Sequence, residues 1–229
     1  MQVQDWWHIL ANDIYSVLAT LLLLAVYHIY LFRKVKKNPA YTVQAVNAMA
    51  RTLWVENIMR EGKDILAVQT LRNSTMAATF LASTAVLLII GVLTLTGRGD
   101  EISQSWKSLN MFGALNMELF LTKLLVMLLD LFAAFFAFSM SIRLYNHVGF
   151  MINVPLKLNH KVIDPHHVAT HLNRAGKYYS IGMRTYYFLV PMIFWLFGPH
   201  LMVASTAALV FVLYHIDRAP KSFLQEVVE

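Results

Sequence analysis

Residues 14–37 read IYSVLATLLLLAVYHIYLFRKVKK. The first nineteen, Ile14 to Phe32, carry no Asp, Glu, Lys or Arg. As a helix they reach ~28 Å, close to the ~30 Å hydrocarbon core of a bilayer. Arg33, Lys34, Lys36 and Lys37 follow at once. An apolar run that ends on a cluster of cations predicts a membrane helix anchored on its cytoplasmic side. Residues 1–13 carry Asp5 and Asp13 but no Lys or Arg. The basic start of a cleavable leader is missing there, so the apolar run is expected to stay as a span.

Composition extends this reading to the whole chain. Of 229 residues, 58% are hydrophobic and 14% charged, against ~25% charged in ordinary soluble domains. So much apolar surface needs an apolar solvent. The expectation is an all-α, polytopic helical membrane protein in which residues 1–229 form a single membrane domain. The chain has no cysteine, which excludes disulfides, thiolate metal sites and a cysteine nucleophile. The net charge of +6 is read as topology and attraction to anionic lipid, with no nucleic-acid partner.

Asn38-Pro39 reads as a helix cap followed by proline at the first helical position. An amphipathic helix is expected over residues 39–61, with Val43, Val46, Ala50, Leu53, Trp54 and Ile58 on one face and Gly62 as its stop. It would lie within a cytoplasmic loop, residues 33–64, with Trp54 at headgroup level. Asp64 can cap the next helix, Ile65 to about Thr96, whose span proper is 75–95. The turn Gly97-Arg98-Gly99-Asp100 and a polar stretch over 98–118 lead to a third span, Leu119 to Ile142. A basic, His-rich cytoplasmic loop over 143–180 contains the pair Asp164-Pro165. That pair is expected to open a short helix ending near Ala175, with Gly176 as stop.

The last apolar stretch, Tyr186 to Tyr214, would measure ~43 Å as one helix, too long for a single upright span. Gly198-Pro199 in its middle predicts a break into two spans, Ile181–Phe197 and Pro199–Ile216. The expectation is therefore five transmembrane helices plus two short cytoplasmic or interfacial ones; the alternative is four, with the last one kinked. Lys and Arg number eight in 33–72 and six in 143–184, against two in 97–118 and none in 1–13. The N-terminus is thus expected outside a plasma membrane, such as a bacterial inner membrane, with the basic loops cytoplasmic.

Several polar residues fall where lipid makes them expensive. Lys123 and Asp130 lie seven apart in the third span and so share a face, continued by Ala134, Ala137 and Ser141. They line a polar path or form a structural pair bridged by water or a neighbouring helix. Gln69, Arg72, Asn73 and Arg184 would form an inner mouth, or else anchor helices at the interface. Stripes of small residues, Ser74-Ala78-Ala82-Ala85 and Ala204-Ala208, suit close helix packing. His167 and His171, four apart near Asp164, His160 and His166, offer two ligands to a metal. His28 and His147 fall at similar depth, the minimum for a haem, although nothing else supports one. No cofactor is expected beyond that weak metal candidate, and no nucleotide loop or hydrolase motif is present.

Leu66-Ala67-Val68-Gln69-Thr70-Leu71-Arg72-Asn73 with Met76-Ala77-Ala78-Thr79, and Arg184-Thr185-Tyr186-Tyr187 with Pro191, Trp195 and Phe197-Gly198-Pro199, resemble the membrane family filed as domain of unknown function 599. The resemblance runs from the first span to about Asp217. It implies a multi-span membrane protein of a kind found in bacteria and plants, and no catalytic residues. From the residues themselves, the expected function is transport or channel-like conduction of ions or small solutes by a homo-oligomer. A second reading is an assembly or lipid-interacting scaffold. There Arg33, Lys34, Lys36, Lys37 and Trp54 would dock anionic lipid or an unidentified protein partner. A third is a metal-dependent membrane enzyme.

Overall fold

The structure is a computed structural model that describes residues 3–97, 117–158 and 163–219. Among these residues there are six α-helices: α1 Val3–Lys37, α2 Val43–Glu61, α3 Asp64–Gly97, α4 Met117–Met151, α5 Pro165–Phe197 and α6 Pro199–Ile216, with a 3-10 turn at Leu156–Leu158. Four of them are long and apolar enough to cross a membrane: α1 from Leu10, α3, α4 and α6. The chain is a membrane protein, all-helical among the described residues. Its outward side chains fit that reading. Leu18, Leu22, Phe80, Leu87 and Phe136 are each more than half exposed, an apolar surface that water would not tolerate and lipid does.

Several boundaries differ from the sequence reading, each for a local reason. Helix α1 continues through its basic anchor to Lys37, and the Asn38 N–H still donates to Lys34 C=O at 2.9 Å. Asn38 is therefore the end of α1, not the cap of α2. The cap is Thr42, whose extended backbone lets its hydroxyl accept from the Ala45 N–H. Gly62 does stop α2, in the left-handed conformation at φ 65°, with its N–H donated to Ile58 C=O. Asp64 is the first residue of α3 rather than its cap. Helix α4 runs past Arg143 to Met151, so the start of the 143–180 region is helix. The turn expected at residues 97–100 is helical at Gly97; the rest of it, the polar stretch up to residue 116, and His160 lie outside the described residues.

The largest correction concerns Gly176. It does not end a short helix; α5 runs unbroken from Pro165 to Phe197. A glycine inside a helix costs only ~1 kcal/mol, and Gly176 does not take the left-handed conformation with which Gly62 ends α2. The two other expected signals hold. The Asp164 carboxylate accepts the His167 N–H at 2.6 Å and Pro165 opens α5. The chain also breaks at Gly198, with Pro199 as the first residue of α6.

Contacts divide the chain into two compact units. The first comprises Met1–Pro39, Leu88–Leu131 and Thr185–Arg218. Its apolar cluster joins Ile89 and Val92 of α3 to Leu124, Met127 and Leu131 of α4, with Leu189 and Met192 of α5 packed against it. In this unit α1 and α6 run parallel. Thr20 meets Thr206 at 3.4 Å, the Tyr27 hydroxyl donates to Asp217 at 2.6 Å, and the rings of Tyr30 and Tyr214 lie 6.2 Å apart.

The second unit comprises Ala40–Leu87, Phe132–Arg184 and Ala219–Glu229. Its core gathers Val55 and Ile58 from α2, Ala67 and Leu71 from α3, Leu144 and Val148 from α4, and Val168, Leu172 and Ala175 from α5. The expected apolar face of α2 is only partly the packed one. Ile58 is buried, but Leu53 is 67% exposed, and Val55 and Met59 turn inward instead. Helices α4 and α5 approach closely here. A Cβ on Gly182 would lie 2.7 Å from the Phe138 ring, and the Ser141 hydroxyl donates to Ala175 C=O at 2.9 Å.

Candidate functional site

In the first unit the N-terminal parts of α1 and α4 and the end of α5 meet in a buried polar cluster. Asp13 is only 6% exposed. Its Oδ1 receives the Lys123 ammonium at 2.9 Å and the Trp195 indole N–H at 2.6 Å. Lys123 also donates to Trp195 C=O at 3.2 Å and lies 5.2 Å from the indole ring centre. The carboxylate thus accepts two donors, and the ammonium has an anion, a carbonyl and a π-face. That degree of pairing is what a buried charge requires. Lys123 and Asp130 make no direct contact among the described residues. Lys123 is taken by a carboxylate on another helix.

Asp130 is consequently left alone. It is half-buried on α4, and its Oδ2 is buried with no hydrogen-bond partner among the described residues. A carboxylate oxygen with no donor, within a helix apolar enough to span, is the least satisfied polar group of this unit. The face expected to continue from it does other work: Ala134, Ala137 and Ser141 are buried as packing residues.

The residues proposed for an inner mouth lie on α3 and α5. Gln69, Arg72 and Asn73 are all exposed on α3, and Arg184 is half-buried on α5. Of the small-residue stripes, Ala78, Ala82 and Ala85 are buried inside the chain, whereas Ala204 and Ala208 remain exposed on α6.

The histidine candidates are partly brought together. The rings of His167 and His171 lie 4.7 Å apart, and the His171 Nδ1 is buried without a partner among the described residues. Burial lowers the His171 pKa, helped by the nearby charges of His167, Arg174 and His147. Asp164 spends Oδ1 on capping α5, and no group of three or more His, Cys, Asp or Glu side chains converges among the described residues. Two imidazoles fall short of the three or four protein ligands of a zinc site. His166 is exposed. His28 is exposed on α1 with Nδ1 against Leu24 C=O at 2.8 Å, and His147 is exposed on α4.

Arg33, Lys34, Lys36 and Lys37 are all exposed at the end of α1. With Val26, Ile29 and Tyr30 they line a groove of about 890 Å³. Trp54 is half-buried on α2 rather than projecting freely. Asp13 is inconspicuous as a site residue in the sequence, because it flanks the first apolar run. Trp195 as a hydrogen-bond donor and Arg51 of α2 are equally inconspicuous there.

A family model described as "Protein of unknown function, DUF599" matches residues 15–222. No curated protein matches the chain, and neither does any solved structure.

Proposed function

Because the chain belongs to the DUF599 family, whose description assigns no activity, the functional reading rests on the chain's own residues, and we propose that it is a transport or channel-like protein that moves protons or small cations by way of Asp130. The observation that carries this reading is the buried, unpartnered Oδ2 of Asp130. An ionisable side chain within a span is costly and marks ion or proton paths. Lys123 no longer competes for that role, since Asp13 and Trp195 hold it. The test is flux into liposomes carrying the purified protein. Wild type is expected to conduct protons or a small monovalent cation, and Asp130→Asn, assembled normally, to conduct at least about tenfold less, since one lost charge-assisted contact of ~1.5–3 kcal/mol is worth that factor. Equal flux from the two proteins would sink the reading.

The proposed topology has five crossings, with Ile181–Phe197 of α5 as the fourth. The parallel course of α1 and α6 supports it, because four crossings would leave those helices antiparallel. The N-terminus is then outside a bacterial inner membrane and Asp217 inside, following the basic regions. A fluorescent protein fused after Glu229 is expected to fluoresce in the cytoplasm. Phosphatase activity from an alkaline phosphatase fused at the same point would contradict five crossings.

A homo-oligomer completes the reading, with Ala204 and Ala208 on exposed α6 as contact residues. A lipid-binding scaffold is the second reading, favoured by the four exposed cations of α1 beside an apolar groove wall. Native mass spectrometry that finds anionic lipid on wild type, and as much on the protein with all four cations changed to Gln, would count against it.

A further inference from the structure

Arg51 sits in the second unit on α2, a helix not among those apolar enough to span. Its Nε donates to Asn173 Oδ1 at 2.9 Å. The orientation of that amide is fixed, because Asn173 Nδ2 donates to Thr52 Oγ1 at 3.1 Å, and Thr52 donates onward to Ala48 C=O. The flat of the guanidinium lies on the bare backbone at Gly176, where a Cβ would stand 2.8 Å from Cζ and 2.9 Å from Nη1. Helix α5 therefore holds Arg51 twice, by an amide and by the absence of a side chain.

What α5 does not hold is the outer edge of the fork. Nη1 and Nη2 donate to no acceptor among the described residues, and no described carboxylate pairs with Arg51. Arg51 lines a cavity of about 360 Å³, at the small end of the ~300–1,000 Å³ usual for small-ligand pockets. Asn47, Thr70 and Tyr145 bring further polar groups to the cavity, Trp54 supplies a flat wall, and no acidic residue lines it. Burial depresses the Arg51 pKa, with Tyr145 opposing the shift. A partly buried cation, held by Asn173 and lining a cavity that has no acidic wall, is complete when an anion fills the space.

We propose that this cavity binds a phosphate group, either free inorganic phosphate or the headgroup phosphate of a lipid, gripped by the Nη edge of Arg51. The fork matches two phosphate oxygens, and the surrounding amide and hydroxyl groups serve a third, which a carboxylate lacks. The site is independent of Asp130 and stands or falls separately from transport.

The test compares wild type, Arg51→Gln and Gly176→Ala. The alanine keeps the charge but pushes the guanidinium off its bed, and what yields is the mobile end of a side chain, so the fold is kept. Potassium phosphate is titrated into detergent-purified protein against potassium chloride at equal ionic strength. In parallel, nanodiscs containing phosphatidic acid are examined by native mass spectrometry for retained lipid. Phosphate binding that weakens at least about tenfold in both variants, the scale of one charge-assisted hydrogen bond, supports the site with a free ligand. Retention of phosphatidic acid by wild type alone, without phosphate binding, supports it with a lipid ligand. Binding of neither, or equal binding by all three proteins, overturns it. Should Arg51→Gln fail to fold, Gly176→Ala decides alone.

Discussion

Asp13→Ala is expected to destabilise the protein by about 3–5 kcal/mol, the usual cost of removing one partner from a buried ion pair. Lys123 and Asp13 side chains are only 12% and 9% exposed, so the stranded ammonium cannot reach bulk water without moving helices. Two groups lose their partner at once, since the Trp195 indole N–H also donates to Asp13. The lysine keeps the Trp195 carbonyl and ring face, which holds the loss near the lower end of that range. Replacing both charges, Asp13→Asn with Lys123→Met, should recover most of the stability, because no buried charge then remains. Unfolding in detergent, followed by titration with a denaturing surfactant, measures all three proteins. A single mutant as stable as wild type would mean that the cluster is wet and the pair contributes little.

Gly182→Leu comes second. A Cβ at this position would fall 2.7 Å from two atoms of the Phe138 ring. That ring has nowhere to go, since Phe138 is fully buried and packs edge-on against Tyr179 at 5.8 Å. Leucine is a far better helix former than glycine, by ~0.8 kcal/mol, so on propensity alone the change would stabilise α5. Overpacking of about 1–3 kcal/mol outweighs that gain, with a leucine at the upper end. The sign is thus set by packing, and Gly182→Leu should lower the thermal midpoint. Adding Phe138→Ala should restore part of it, because the leucine then fills the vacated volume. If the double mutant proves less stable than Gly182→Leu alone, the close approach of α4 and α5 is not the cause.

How far the sequence reached can be judged residue by residue. Gly62, Asp164-Pro165 and Gly198-Pro199 were legible because each acts through its own backbone or its nearest neighbours. Gly176 misled for the same reason. Read locally it is a helix stop; in the fold it is the bed of an arginine from another helix. The partner of Lys123 was hidden in the same way. Helical spacing puts the two on one face of α4, but spacing within one helix says nothing about Asp13, which arrives from α1. Asp130 was singled out because an acid in an apolar run is conspicuous. Arg51 was passed over because one cation among the polar residues of α2 is not, and only tertiary contacts make it unusual.

If Asp130 faces a wet path, a thiol in its place is open to water-borne reagents. The chain contains no cysteine, so a single introduced thiol reports on one position without background. Asp130→Cys is compared in the assembled protein with Leu129→Cys, whose native side chain is 62% exposed on the apolar surface, and with Leu131→Cys, whose native side chain is fully buried. Each is treated with a small, charged, membrane-impermeant methanethiosulfonate. Asp130→Cys is expected to be modified while its two neighbours are not. Failure to modify Asp130→Cys, under conditions that label a thiol placed in the basic end of α1, would contradict it.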